Sequence, residues 1–279
     1  MAIKVITDST ADIPPTLVQE LGITIIPLYV HFGTETFRDR LDLEAEEFYQ
    51  RLARSEALPT TSAPSPGTFT EAYREAADGA DGILSIHLSS KLSATVSSAL
   101  LARDEMGPGL RVEVVDSQSV SMGLGLLVIA AARAIRSGAS LDETCELLRQ
   151  AIPRTHVYAL LDTLEYLKKG GRIGKAQTLL GSLLNIKPMI AIRHGEVLPL
   201  ERIRTRSRGL QRLKELAEGL PSPQDLAVLY TPSSQEAQTL AGQIKHLCPG
   251  GEIHMSTFSP VLGVHCGPGT IGLGAIAGE

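Results

Sequence analysis

The run Ser89-Ser-Lys-Leu-Ser-Ala-Thr-Val-Ser-Ser98 follows directly on the apolar segment Ile83 to Leu88. A buried strand that ends in hydroxyls, where a helix must begin, admits two readings. One side-chain oxygen is enough to cap a helix, because it satisfies an orphan N–H of the first turn. The further hydroxyls, Thr95, Ser97 and Ser98 among them, exceed that need. Free N–H groups at a helix start, with hydroxyls around them, also suit a carboxylate or phosphate. Thr60-Thr-Ser62, ahead of Ala63-Pro-Ser-Pro-Gly67, poses the same choice between a plain loop and part of one anion site. Asp8-Ser-Thr10 is a third such segment, the alternative being an Asx-type turn.

His265 stands before the turn Gly267-Pro-Gly269, so its ring is held close to tightly approached backbone. It is either a satisfied structural histidine or a site residue. Gly267-x-Gly269-x-x-Gly272 has the spacing of a dinucleotide loop, but only seven residues follow it. The helix, strand and ribose-binding acid of that motif have no room. Gly170-Gly-Arg-Ile-Gly-Lys175 lacks the upstream glycine and following hydroxyl of a P-loop. Arg172 between glycines is either on a solvated turn or close to an anion. Arg202, Arg204, Arg206 and Arg208 alternate, which on a strand makes one face: a solvated edge or a docking surface. Ser93 with His265 supplies the residue types of a serine hydrolase, without the Gly-x-Ser-x-Gly elbow.

Composition narrows these readings. The 279 residues carry a formal net charge of −5, with 4% aromatics and no Trp. That argues against general binding to nucleic acid or anionic membranes, and no helix-turn-helix pattern supports a DNA-binding regulator. Charge is uneven: residues 154–214 hold 13 of the 26 Lys and Arg. Cys145, Cys248 and Cys266 lack the spacing of a disulfide framework. His246, Cys248, His254, His265 and Cys266 lie close in sequence, but no Cys-x-x-Cys pair backs a zinc site, and no metal is expected. Met1-Ala-Ile-Lys-Val-Ile runs straight into a strand pattern, and the apolar window 123–132 is too short to span a bilayer, so a cytoplasmic protein is expected.

The elements that must position these residues alternate. Strands are predicted at 3–6, 23–30 (interrupted by Pro27), 82–87 and 111–115. Helices are predicted from Pro14 to Gly22 and over 43–53, 69–77, 92–106, 123–135 and 141–152, with 60–67 a loop. Such alternation implies βαβ units and a parallel sheet, with ligands outside the carboxyl ends of its strands. The polar segments 8–12, 88–93 and 116–121 are expected to meet there. Beyond a junction at Pro153, the pattern predicts a strand at 156–161, a helical turn at 164–169 and a helix at 176–184. A hairpin of 187–193 with 197–204 follows, then a helix capped by Ser207 and running to Glu218. Strand 226–230, helix 233–246 and strand 252–258 complete it.

Thr7-Asp-Ser-Thr-Ala-Asp12, Thr60-Thr-Ser-Ala-Pro-Ser65, His87-Leu-Ser-Ser-Lys-Leu-Ser-Ala-Thr95 and Val115-Asp-Ser117 occur in that order. Leu164-Glu-Tyr-Leu-Lys-Lys-Gly-Gly-Arg-Ile173, Leu184-Asn-Ile-Lys-Pro188 and His265-Cys-Gly-Pro-Gly-Thr270 follow. Together the chain resembles the DegV family of bacterial fatty acid-binding proteins; Ala94 stands where the family commonly has Gly. The resemblance implies two α/β domains, 1–152 with a mainly parallel sheet flanked by helices and 153–279 with a mixed sheet. It implies one long-chain fatty acid in a tunnel between them and no other cofactor. It puts the carboxylate-binding role on Thr61 and Ser93, supported by His265, with Ser62, Thr95, Arg172 and Gly267 as further ligand-site candidates. It implies no catalytic residue in this chain. A separate ATP-dependent fatty acid kinase would make the acyl phosphate for phospholipid synthesis, docking near Arg202, Arg204 and Arg206.

Overall fold

The structure is a computed structural model describing residues 2–180, 186–232, 235–248 and 253–278. In the first half the strands are β1 (Ile3–Asp8), β2 (Ile23–Ile26), β3 (Tyr29–Phe32), β4 (Glu35–Arg38), β5 (Thr60–Ser62), β6 (Gly82–His87) and β7 (Arg111–Asp116). The helices are α1 (Pro15–Leu21), α2 (Ala45–Arg54), α3 (Pro66–Ala77), α4 (Thr95–Met106), α5 (Met122–Arg136) and α6 (Leu141–Ala151). A four-stranded parallel sheet has the order β2-β1-β6-β7. Parallel pairing puts all four carboxyl ends at one edge, so segments 8–12, 88–93 and 116–121 do meet. Asp8 accepts from the N–H of Leu88 at 3.0 Å, and Ser89 donates its N–H to Ser119 O at 2.9 Å.

Pro27 has no N–H to give a ladder, so the apolar run 23–30 splits into two strands in different sheets. β2 stays in the parallel sheet, and β3 opens a three-stranded antiparallel sheet of order β4-β3-β5. Thr60–Ser62 is therefore a strand and not a loop, with Thr61 opposite the buried Val30. Three residues are too few for alternation to show in sequence. α4 begins at Thr95 and not at Leu92, because Ser89 closes a turn first: its carbonyl accepts from Leu92 and Ser93 at 3.0 and 3.1 Å.

The second half holds β8 (Thr155–Leu160), β9 (Lys187–Arg193), β10 (Glu196–Ile203), β11 (Asp225–Tyr230), β12 (Ile253–Thr257) and β13 (Ile271–Ile276). Its helices are α7 (Glu165–Lys169), α8 (Arg206–Glu218), α9 (Gln235–Ile244) and α10 (Pro260–Cys266). The sheet is six-stranded and mixed, ordered β10-β9-β8-β13-β11-β12. The predicted helix over 176–184 is instead a 3-10 segment, Gly174–Leu179. Its buried Ala176 and Leu179 lie three apart, the period of that tighter helix. Residues 181–185 lie outside the described residues, as do 233–234 of the predicted helix and Glu252 of the predicted strand.

The cap of α8 is Thr205 rather than Ser207: its side chain accepts the N–H of Arg208 at 3.3 Å. The alternating arginines thus do not share a strand face. Arg202 is on β10, Arg204 follows the strand, and Arg206 and Arg208 are on α8.

α5 carries the junction between the two halves. Its first eight residues, Met122 to Ile129, are all buried, as an apolar surface all round the helix predicts. A Cβ on Gly125 would lie 2.4 Å from the carbonyl oxygen of Ala11, beside the parallel sheet. A Cβ on Gly123 would lie 2.3 Å from Val157 Cγ2, on the mixed sheet. Both sheets thus approach the helix at distances that only glycine permits. Gly125→Ala is expected to lower stability by roughly 1–2 kcal/mol, overpacking outweighing the gain in helix propensity. A shift of the urea midpoint at unchanged slope is the measurement that checks it.

Candidate functional site

A cavity of about 1080 Å³, its open mouth included, is lined from both halves of the chain. Alternation along β8 turns Val157 and Ala159 toward it, while Tyr158 and Leu160 pack on the other face against Leu213 and Ala217. Ile190 and Ile192 of β9 continue the apolar wall, and Val261 and Leu262 of α10 close it from another side. Leu28, Leu88, Leu92, Val120 and Phe258 complete a lining that is mostly aliphatic.

The polar groups in this lining include Thr61, Ser62, Ser93, Ser121, Arg172 and His265. Thr61 comes from β5 and His265 from α10, and Thr61 Oγ1 lies 3.0 Å from His265 Nε2. His265 Nδ1 is buried without a partner among the described residues. It faces Gly170, where a Cβ would lie 2.3 Å away. A buried N–H with no acceptor is rarely tolerated, so the proton sits on Nε2 and is donated to Thr61. The Thr61 hydroxyl is then free to donate its own proton into the cavity. Burial, and then the Arg172 guanidinium, push the pKa of His265 down to about 4 from 6.5, so the ring is neutral at pH 7.

Ser93 ends the turn before α4. Its Oγ lies 2.9 Å from Thr95 Oγ1 and 3.4 Å from Thr95 N, so it caps weakly while lining the cavity. Thr95 is buried behind it and does not line the cavity. Ser62 lies at the cavity but is bonded to His31 Nε2 at 2.9 Å. Arg172 is exposed; its Nε donates to Leu92 O at 3.3 Å and its Nη1 to Gly170 O at 2.9 Å. It thereby links the two halves at the mouth. Gly267 is not at the cavity. It is a turn glycine at φ 71°, and a Cβ there would overlap the Tyr166 ring at 2.2 Å.

The hydrolase pairing does not form: His265 is bonded to Thr61 and Ser93 to Thr95. His265 also lacks an orienting group on Nδ1, and its depressed pKa makes it a poor base. Beside it, burial pushes the Cys266 thiol up to about 12, too high for a nucleophile at neutral pH. Among the described residues no group of three or more His, Cys, Asp or Glu is placed to hold a metal ion. No helix there is long and apolar enough to cross a membrane.

Sequence reasoning missed the network beneath the cavity. Asp12 is buried, at φ 54°, and accepts from Arg40 Nη2 at 2.9 Å, Ser121 Oγ at 2.6 Å and Ser259 N at 3.0 Å. Arg40 also donates to Thr257 O, tying the parallel sheet's edge to β12 and α10. Arg40 (φ 60°) and Ser121 (φ 56°) are themselves in unusual backbone regions, so Asp12 and two residues bonded to it store strain beside the cavity. Asp39, also buried, accepts the N–H of Val261 on α10 at 3.2 Å. Two carboxylates face one guanidinium here. Burial, opposed by Ser9, Arg40 and Val261, leaves Asp39 with a pKa of about 6. Asp8, by contrast, forms the Asx turn with Thr10 N at 3.1 Å and orients His87 at 3.0 Å, remote from any ligand role.

The family profile described as "Uncharacterised protein, DegV family" matches residues 2–278. The chain belongs to the DegV family. It is 37% identical to a DegV family protein from Thermus thermophilus described by its fatty acid binding. The two folds agree with a TM-score of 0.91 over 99% of this chain and 100% of that one. DegV from Bacillus subtilis, described as a fatty acid binding protein, is 34% identical, with a TM-score of 0.89 over all of both chains. A stearic acid-binding protein from Eubacterium ventriosum is 25% identical, with a TM-score of 0.89 over 99% of this chain and 98% of that one. The DegV fold, a parallel sheet joined to a mixed one, is thus shared by proteins that bind fatty acids.

Two outcomes follow for this DegV protein. Gly170→Ala, at φ outside the left-handed region, adds no backbone strain but drives a methyl into His265 Nδ1. Displacing the ring from Thr61 should lower ligand affinity by about tenfold, roughly 1.4 kcal/mol, in calorimetric titration of the folded protein. Asp39 has a folded pKa above its ordinary 3.8. Its contribution to stability is therefore full below about pH 4 and lost as pH rises through 6. Asp39→Asn should be more stable than the parent above pH 6, with the difference vanishing near pH 4 in denaturant unfolding.

Proposed function

We propose that this protein binds one long-chain fatty acid in the cavity between residues 1–152 and 153–279. The observation that carries this reading is an aliphatic cavity with a neutral Thr61–His265 pair and Ser93 in its lining. Each buried methylene contributes about 0.8 kcal/mol, so about fourteen of them give on the order of 11 kcal/mol before binding costs. The carboxylate would accept from the hydroxyls of Thr61 and Ser93, with Arg172 adding positive potential at the mouth.

Neutral donors leave the carboxylate oxygens nucleophilic, where a bidentate arginine would neutralise them. That suits a carrier presenting the head group to a separate ATP-dependent fatty acid kinase, which makes the acyl phosphate. The kinase would dock through Arg202 and Arg204, both exposed. Arg206 is occupied by Glu236 at 2.9 Å and Asp162 at 3.3 Å and is less suited to that contact.

Mass spectrometry of lipid extracted from the natively purified protein should find a fatty acid at about one per chain. Thr61→Ala with Ser93→Ala should weaken binding by roughly two to four orders of magnitude, taking about 1.5–3 kcal/mol for each hydrogen bond to a charge. Fatty acid transfer to a kinase that survives the double substitution unchanged would sink the head-group assignment. Absence of any fatty acid binding would sink the function.

A further inference from the structure

A second cavity, of about 770 Å³ with its opening, lies where α6 ends and the β9–β10 turn folds back. Arg193 follows Ile192 on β9 and so points away from the apolar cavity, into this one. The side chains lining it include donors from four segments: Gln118, Arg149, His156, Arg193 and His194. Among the described residues no carboxylate lines it.

Arg193 makes no ion pair among the described residues and reaches only the Tyr158 hydroxyl, at 3.5 Å. The arginines of α8 differ: Arg206, Arg208 and Arg212 each hold a carboxylate. Arg149 pairs with Glu146 one turn back on its own helix, leaving a net positive site. Two of the carbonyls at the end of α6, whose partial negative charge would repel an anion, are covered. Arg154 takes Gln150 O and Thr155 Oγ1 takes Ala151 O, each at 3.0 Å. His194 (φ 51°) and Gly195 (φ 78°) form the two-residue turn of the β9–β10 hairpin, a turn with positive φ at both positions, which sets His194 at this cavity; Gln118 (φ 49°) lines it from the other half.

We propose that this cavity is a binding site for a phosphate monoester. Arg193, which no carboxylate holds, offers phosphoryl oxygens a guanidinium fork, and Arg149, whose pair with Glu146 is exposed, adds a second cation beside it. Donors arriving from several sides need the three oxygens of a tetrahedral group, where a planar carboxylate offers two. Ile152 and Pro153, also in the lining, make an apolar floor for a short carrier beside the phosphate.

The test titrates the full chain with phenyl phosphate while following the ring C–H signals of His156 and His194 by NMR. Saturable shifts at both rings are expected, with the His265 signal unmoved. Arg193→Gln and Arg149→Gln should each weaken binding by about tenfold, and benzoate should bind weaker than phenyl phosphate by a similar factor. Co-sedimentation with phosphatidylcholine vesicles containing phosphatidic acid, lost in Arg193→Gln, would identify a lipid head group as the source. Phenyl phosphate binding without sedimentation would identify a soluble ester. No saturable shift, shifts unchanged in both variants, or equal binding of benzoate would overturn the proposal.

Discussion

The structure depends on how closely two sheets can approach one helix. α5 is buried through its first two turns because the edge of the parallel sheet lies against Gly125 and the mixed sheet against Gly123. A single methyl at either position would push a sheet away. The apolar core accordingly runs through α5 without a break, from Val5 and Leu84 on one side to Ala227 and Leu229 on the other. The cavity survives beside that core because its walls are fixed by strands and held apart by the loops that precede α4 and α5.

That fixed separation makes the polar end chemically specific. Thr61 sits on a three-residue strand and His265 on a seven-residue helix, neither stable alone. Each borrows its position: Thr61 from Val30 on β3, and His265 from the Asp12, Asp39 and Ser259 contacts at the start of α10. The buried acids Asp12 and Asp39 are therefore structural. The neutral ring and hydroxyls meet whatever enters the cavity.

Much of this was legible in sequence, for physical reasons. β1, β6 and β8 announce themselves as apolar runs, and α5 as a helix apolar on every side. The expectation of convergence at the parallel sheet's edge needed only strand direction. Short elements escaped: β5 and the 3-10 segment at Gly174–Leu179 are too brief for periodicity to declare itself. The arginine alternation misled because Thr205, one position inside it, is a better cap than Ser207. The Asp12–Arg40–Ser121 cluster was invisible, since residues far apart in sequence meet only once both sheets are in place. The cavity lining, by contrast, could have been read from the even spacing of Val157, Ala159 and Leu161.

Arg172 stands at the boundary between the cavity and the solvent. It is exposed, yet it bridges Leu92 O in one half and Gly170 O in the other, at the rim of an otherwise aliphatic cavity. The depth of the cavity governs how tightly an occupant is held at equilibrium. The rim governs how fast it comes and goes. Arg172 therefore bears on the rate of exchange as well as on affinity, whereas the aliphatic walls deeper in bear chiefly on affinity.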